Sequence, residues 1–307
     1  MKLFRKSTEA YAKINLLLRI EGMRGDGYHL LSTVMHSISI SDNVEIEIDF
    51  SEESARTAPD ISLVHDLTGL PSDAANTMYR AADAYLRRLG SPPVRVLVRA
   101  QKRIPTRAGL GGGSTDAAAV LRLMNEGYSG AVNEEEMIEI AEEIGADVPF
   151  FINGGAALCE GIGERITPVK AVGGLPVLIM KPSGGVSTPE AYQAFDRQAR
   201  GFSSGIRENR ELMTILSANH IPPVSRIRQI APFVINDLQD VAIGLVPEIS
   251  GVLEFFEKNR PVCSAVSGSG SAVFAIFDSR EARDRAQREA EELKDPGIAV
   301  FPCETID

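Results

Sequence analysis

Four glycines, Gly109, Gly111, Gly112 and Gly113, fall within one short stretch that runs directly into the alanine-rich segment DAAAVLRLMN. Lacking Cβ atoms, such a run takes φ > 0 and lets several backbone N–H groups converge on one concavity. The alanines predict a helix, with Ser114 or Thr115 as its N-cap and Gly127 as its end. A helix N-terminus carries roughly half a positive charge, so loop and helix together make a trap for a phosphate-sized anion. In a plain turn four glycines would cost conformational entropy with nothing to offset it.

Two familiar glycine patterns do not fit. A P-loop needs lysine before its Ser/Thr, where Gly113 stands; a dinucleotide fingerprint needs glycine where Ser114 stands. The acidic strand end expected some 20 residues on is missing too, since Glu134 to Glu136 open a helix, which disfavours a nucleotide-dependent reductase. With 32 basic and 42 acidic residues the net charge is -10, against a broad nucleic-acid footprint or an anionic membrane surface. An anion must therefore meet a local site.

At 307 residues, and about 150 per domain, two lobes with a cleft are expected. A composition of 44% hydrophobic and 24% charged residues is that of a globular chain. No stretch approaches the ~18 apolar residues of a membrane span, and the opening MKLFRKSTEAYAK lacks an apolar core, so a cytoplasmic protein is expected. Cys159, Cys263 and Cys303 are odd in number and far apart. The histidines 29, 36, 65 and 220 lack metal-ligand spacing, so neither a disulfide framework nor a zinc site is indicated.

From Ala10 to Ile20 apolar residues alternate as in a strand, placing Lys13 and Asn15 on one face. STVMHSISI and DNVEIEIDF read as two further strands separated by Ser41, Asp42 and Asn43. Helices are predicted over Asn76 to Arg88 and Glu134 to Ile144, with the strand VRVLVRA between them. Beyond Phe151 short strands, glycines and prolines predominate, which puts the lobe boundary near residue 155: 1–155 and 156–307. Arg197 to Asn209 reads as an exposed loop. VPEISGVLEFFEKN predicts a helix, VCSAVSGSGSAVFAIF a strand, turn and strand, and Glu281 to Leu293 a charged surface helix.

Asp147 follows a helix-ending glycine and lies two residues before Pro149, in a constrained turn. Hydroxyl kinases use an Asp to orient the hydroxyl and take its proton, with a cation keeping that Asp ionised. Lys13 is a candidate for the cation. Spacing alone does not pair the two: taken by itself the Asp is a turn former, and the Lys reads as well as an edge-strand guard.

With these residues in hand, the chain closely resembles the GHMP kinase superfamily over most of its length. The three superfamily motifs stand as AYAKINLLL, IPTRAGLGGGSTDAAA and SGSGSAVFAIF. The narrower stretches AKINL with DGYH, GADVPFF, GVSTPEAY and NDLQ match the branch acting on a cytidine-bearing alcohol of the non-mevalonate isoprenoid route.

The resemblance implies a two-lobed α+β kinase, with an N-terminal ATP-binding lobe like ribosomal protein S5 domain 2 and a C-terminal, ferredoxin-like substrate lobe. ATP with Mg²⁺ would phosphorylate the 2-hydroxyl of diphosphocytidyl methylerythritol. Asp147 looks like the base and Lys13 its charged partner, with Asn15 placing substrate. Gly109, Leu110, Gly111, Gly112, Gly113, Ser114 and Thr115 look like the triphosphate loop, and Asn76 and Lys102 match positions lining the adenine. Ser267, Gly268, Ser269 and Gly270 form the third motif. Tyr28 and Tyr192 would sandwich the cytosine while His29 bonds its polar edge. Ser114 or Thr115 is the candidate protein ligand to Mg²⁺; no other metal site is expected. Thr106, Arg107, Thr115 and Ser271 depart from commoner residues, and Arg107 either touches a phosphate or points to solvent.

A sister kinase for homoserine, mevalonate or a sugar would share the phosphate loop, with less reason for Tyr28, His29 and Tyr192. A catalytically silent nucleotide-binding regulator would have less reason to keep Lys13 and Asp147. A monomer and a homodimer fit the sequence equally.

Overall fold

The computed structural model describes residues 3–51, 58–198, 201–202, 206–218 and 220–307. The chain forms two compact units. One comprises Met1–Ala12, Ser41–Ile104 and Gly111–Asn153, the other Lys13–Ile40, Pro105–Leu110 and Gly154–Asp307. The single boundary expected near residue 155 corresponds to the last crossing, Asn153 to Gly154. The earlier crossings arise because two long strands, β1 (Leu3–Met23) and β2 (His29–Asp49), each lend one half to either unit.

In the first unit, β3 (Asp60–His65) and β4 (Arg95–Gln101) extend the sheet in the order β3-β4-β2-β1. β4 runs antiparallel to β2 and parallel to β3, so that Val98 faces both Ile46 and Leu63. Buried Val44, Ile46 and Ile48 alternate with more exposed Glu45 and Glu47, the pattern of a sheet with one covered face. The helices are α1 (Thr77–Arg88), α2 (Gly112–Gly127), α3 (Glu134–Ile144) and the short α4 (Val148–Asn153). α1 turns Met78, Ala81, Ala82, Tyr85 and Leu86 inward. α3 begins with a reciprocal capping box between Asn133 and Glu136.

In the second unit the order is β6-β5-β2-β1-β8, with β5 (Ala156–Gly161), β6 (Arg165–Val169) and the two-residue β8 (Ile235–Asn236). A separate antiparallel sheet has the order β11-β7-β10-β9, from β7 (Pro176–Pro182), β9 (Cys263–Val266), β10 (Val273–Ile276) and β11 (Ile298–Glu304). Its helices are α5 (Thr188–Arg197), α6 (Ile206–Leu216), α7 (Pro223–Ile230), α8 (Gln239–Leu245), α9 (Glu248–Asn259) and α10 (Arg280–Glu292). Met180, Val273, Ala275, Ile249, Val252, Phe256 and Ala286 share one apolar core.

Three local expectations change. STVMHSISI and DNVEIEIDF form one continuous strand, because Asn43 pairs with Gln101 in the ladder and buried Asp42 accepts N–H bonds from Arg103 and Ile104 instead of turning the chain. α2 starts at Gly112, not at Ser114 or Thr115. Gly111, at φ 74°, is its N-cap, and its carbonyl already takes the N–H groups of Ser114 and Thr115. The stretch Arg197 to Asn209 is not all loop: residues 199–200 and 203–205 lie outside the described residues, but α6 opens at Ile206 and Asn209 is buried. Among the described residues no helix is long and apolar enough to cross a membrane.

Candidate active site

The strand alternation of β1 sends Lys13 and Asn15 to one side, and both are buried. Lys13 Nζ donates to Asn15 Oδ1 at 2.6 Å, Asn15 Nδ2 donates to Thr33 Oγ1 at 2.8 Å, and Thr33 Oγ1 donates to the Leu17 carbonyl at 2.6 Å. This chain orients the Asn15 amide and, through it, the ammonium. The Lys13 N–H donates to the Leu110 carbonyl at 3.0 Å, tying the strand to the 105–110 segment within the same unit.

The third motif lies against this group. A Cβ on Gly268, which holds φ 54°, would stand 3.0 Å from the Gly109 carbonyl oxygen, 3.2 Å from Lys13 Nζ and 3.3 Å from Asn15 Oδ1, so a side chain there would be strained and would crowd the amine. Ser267 Oγ donates to the Gly109 carbonyl at 3.0 Å. The turn itself is held from NDLQ, a stretch to which the sequence assigned no task. Asn236 Nδ2 donates to the carbonyls of Val266 (2.7 Å) and Gly268 (2.8 Å), while Gln239 Oε1 accepts the Val266 N–H. Asp237 pairs with Arg19 at 2.8 Å and accepts the Ile20 N–H. No spacing rule gives these partners.

In the first unit Gly111 carries the chain into α2; a helix leaves the N–H groups ahead of its first intrahelical bonds without partners of its own, and here that of Ser114 is already taken by the Gly111 carbonyl. Ser114 is half-buried there and Thr115 fully buried. Asn76 caps α1: its Oδ1 accepts the Met78 N–H at 2.9 Å and its Nδ2 donates to the Pro71 carbonyl at 2.8 Å. Lys102 places its ammonium between Asp42, expected only as a strand-separating residue, and Asp116, which sequence spacing did not single out. Burial works against that ammonium, but the two carboxylates outweigh it and raise its pKa. Burial likewise pushes the Asp116 carboxyl up to about 7, with Lys102 pulling it down and Asp42 pushing it further up. Asp147 is half-buried immediately ahead of α4.

Elsewhere in the second unit the His29 imidazole stacks on Tyr192, with centroids 4.7 Å apart and planes 24° from parallel. His29 Nε2 donates to Asp196 Oδ1 at 2.7 Å. One face of Tyr192 is thus covered by His29, whereas Tyr28 is 60% exposed, with the Arg24 guanidinium 5.6 Å from its ring centroid. Arg107 is exposed at φ 50°, and its carbonyl accepts from Val186 and Ser271.

One unit thus holds a buried amine beside a glycine turn, and the other a helix start led by glycine. The family of GHMP kinases N terminal domains matches residues 76–155 and that of GHMP kinases C terminal domains matches residues 204–295. The chain belongs to the GHMP kinases. Its relatives include 4-diphosphocytidyl-2-C-methyl-D-erythritol kinase of Clostridium botulinum (strain Alaska E43 / Type E3), 36% identical over 97% of this chain and 99% of the relative. The kinase of the same name from Caldicellulosiruptor saccharolyticus is 37% identical over 96% of each. A crystal structure of 4-(cytidine 5'-diphospho)-2C-methyl-D-erythritol kinase superposes with a TM-score of 0.74 at 29% identity, covering 98% of this chain and all of the other. Homoserine kinase from Cytophaga hutchinsonii shares the fold, with a TM-score of 0.74 at 18% identity over 98% of this chain and 94% of the other.

Proposed function

We propose that the chain transfers the γ-phosphoryl group of ATP to the 2-hydroxyl of 4-diphosphocytidyl-2-C-methyl-D-erythritol, a cytoplasmic step of non-mevalonate isoprenoid synthesis. The observation that carries the reading is the buried Lys13 ammonium, oriented by Asn15 and Thr33 and given room by Gly268. Near-full-length likeness to kinases bearing that substrate's name supports the acceptor. The free state of the three cysteines suits a reducing compartment.

The substrate hydroxyl oxygen forms its bond to the γ-phosphorus as the bond to the bridging β,γ-oxygen breaks. ADP leaves with that electron pair, and the hydroxyl proton passes to Asp147. Such a loose transfer asks for alignment and charge stabilisation more than covalent help. The positive-φ glycines and the α2 N-terminus suit the triphosphate, and Asn15 suits placement of the acceptor. The unit holding residues 111–153 is read as the ATP-binding side, and the one holding the C-terminal half as the substrate side.

Mg²⁺ arriving on the phosphates would neutralise their charge and needs few protein ligands. Among the described residues there is no cluster of three acidic, His or Cys side chains to hold a metal by itself. Half-buried Ser114 fits a single contact better than Thr115. For the cytosine, exposed Tyr28 offers an open ring face, and the His29–Tyr192 stack a polar edge beside an aromatic one.

Incubation with MgATP and the diphosphocytidyl alcohol, followed by phosphorus NMR, is expected to show ADP and one new phosphomonoester. Turnover of homoserine or mevalonate in place of that alcohol would reassign the acceptor within the family.

A further inference from the structure

Asp42, Lys102 and Asp116 form a buried ion triad that the phosphoryl-transfer scheme leaves unused. Asp42 stands mid-way along β2; its Oδ1 accepts the N–H groups of Arg103 (2.5 Å) and Ile104 (2.8 Å), and its Oδ2 takes the Lys102 ammonium. Asp116 lies near the start of α2 and sets its Oδ2 on the same ammonium. The side chains of Lys102, Asp42 and Asp116 are 5%, 0% and 2% exposed. All three belong to the first unit.

Two further observations give the triad a direction. Asp116 Oδ1 is buried without a hydrogen-bond partner among the described residues, so the group is anchored through its Oδ2 side alone, by the ammonium and the neighbouring Asp42. A Cβ on Gly112 would come within 3.1 Å of Ile104 Cγ2, so the first residue of α2 rests directly on the segment that Asp42 pins. Buried ion triads add little stability over apolar side chains of similar volume, whereas removing one member leaves an uncompensated charge. Their attested use is to select one geometry. Here they join three stretches: the middle of β2, the turn after β4, and the helix start to which the triphosphate is assigned.

We infer that Lys102, Asp42 and Asp116 act as a positioning clamp that sets the first turn of α2 for the triphosphate, with Lys102 working through the two carboxylates instead of reading the adenine base. The inference rests on the phosphate-binding reading of Gly111 to Ser114. Lys102 is then a positioning residue. Its charge is consumed internally, and its loss should harm every triphosphate alike, whatever base is attached.

The test is a double-mutant cycle of Lys102→Met and Asp116→Asn in the full chain, with Asp42→Asn alongside. KM and kcat are measured for ATP and for GTP, inorganic tripolyphosphate serves as a competitive inhibitor, and melting is followed for each variant. Each single variant is expected to weaken tripolyphosphate about tenfold, since a small displacement of binding groups carries a penalty of that order or more. KM for ATP and for GTP should rise by the same factor, with kcat changed less, and the double variant should be no worse than the poorer single one. A changed ATP-to-GTP ratio on Lys102→Met, with both Asp variants silent, overturns the clamp in favour of base contact. Lowered melting with unchanged tripolyphosphate inhibition overturns it in favour of plain structural support. Should Lys102→Met not fold, Asp116→Asn, which keeps shape and an acceptor, decides alone: unchanged inhibition refutes the clamp. A parent protein that ignores tripolyphosphate and ATP refutes the phosphate-binding reading itself, a result separate from silent variants of a binding parent.

Discussion

Ser267 fills the space a side chain on Gly109 would need. Its hydroxyl donates to the Gly109 carbonyl at 3.0 Å, and a Cβ on Gly109 would run into the Ser267 carbonyl oxygen while standing 2.8 Å from its carbonyl carbon and 3.0 Å from Gly270 N. Gly109 also holds φ 73°, in the left-handed region. Two glycine motifs more than a hundred residues apart in sequence thus meet backbone to backbone.

Gly109→Ala is therefore expected to destabilise the protein by about 1–3 kcal/mol through strain and collision with main chain that cannot step aside. Urea unfolding measures this. A loss below about 0.5 kcal/mol, the range of an ordinary surface substitution, would show that the two turns are free to part.

Asp147→Asn should leave ATP affinity intact and lower turnover about 10²-fold, the usual contribution of a positioned proton acceptor. Initial rates together with ATP titration separate the two. Turnover near that of the parent would remove Asp147 from the role of base.

Tyr192→Ala should raise KM for the cytidine-bearing substrate well beyond that for ATP, because it removes the ring that backs His29. Stacked aromatic pairs contribute about 0.5–1.5 kcal/mol beyond burial, or roughly two- to tenfold in affinity. Equal losses for both ligands would argue against a nucleobase site there.

His36 gives a pH dependence of stability. It is 1% exposed; its Nε2 accepts the Val172 N–H at 2.9 Å, and its Nδ1–H donates to the Ser37 carbonyl at 2.9 Å, an arrangement open only to the neutral ring. Burial lowers its pKa, with the Ser37 bond and the charge of Asp307 opposing. A base with a depressed folded-state pKa binds fewer protons folded than unfolded below about pH 6.5, so its contribution is present above that value and is lost as pH falls through the folded-state value. Unfolding free energies between about pH 7 and pH 5 should fall more steeply for the parent than for His36→Gln. Parallel slopes would mean that the ring protonates without penalty.

Much of this molecule is legible in its sequence. Alternation alone placed Lys13 and Asn15 on one face, and they are hydrogen-bonded to each other. Asn76 stood at a helix start and caps α1 there. Gly145, the expected end of the acidic helix, is the C-cap of α3. The strand break failed through a partner out of local range. Ser41 to Asn43 looked like a turn because the cue to stay extended comes from β4; the Ser114 or Thr115 cap, by contrast, was displaced locally, since the Gly111 carbonyl already accepts both of their N–H groups.

The sequence by itself determined the elements, the two glycine turns and the residue types of a phosphate-handling site, since periodicity, capping and φ > 0 are local properties. Only the tertiary structure decided that Asn236 braces the third motif, that His29 stacks on Tyr192 and meets Asp196 167 positions away, and that Lys102 is spent on Asp42, 60 positions distant, and Asp116. Those pairings follow from which buried polar groups packing brings within reach of one another, because a group taken from water must find its partner wherever the fold supplies one.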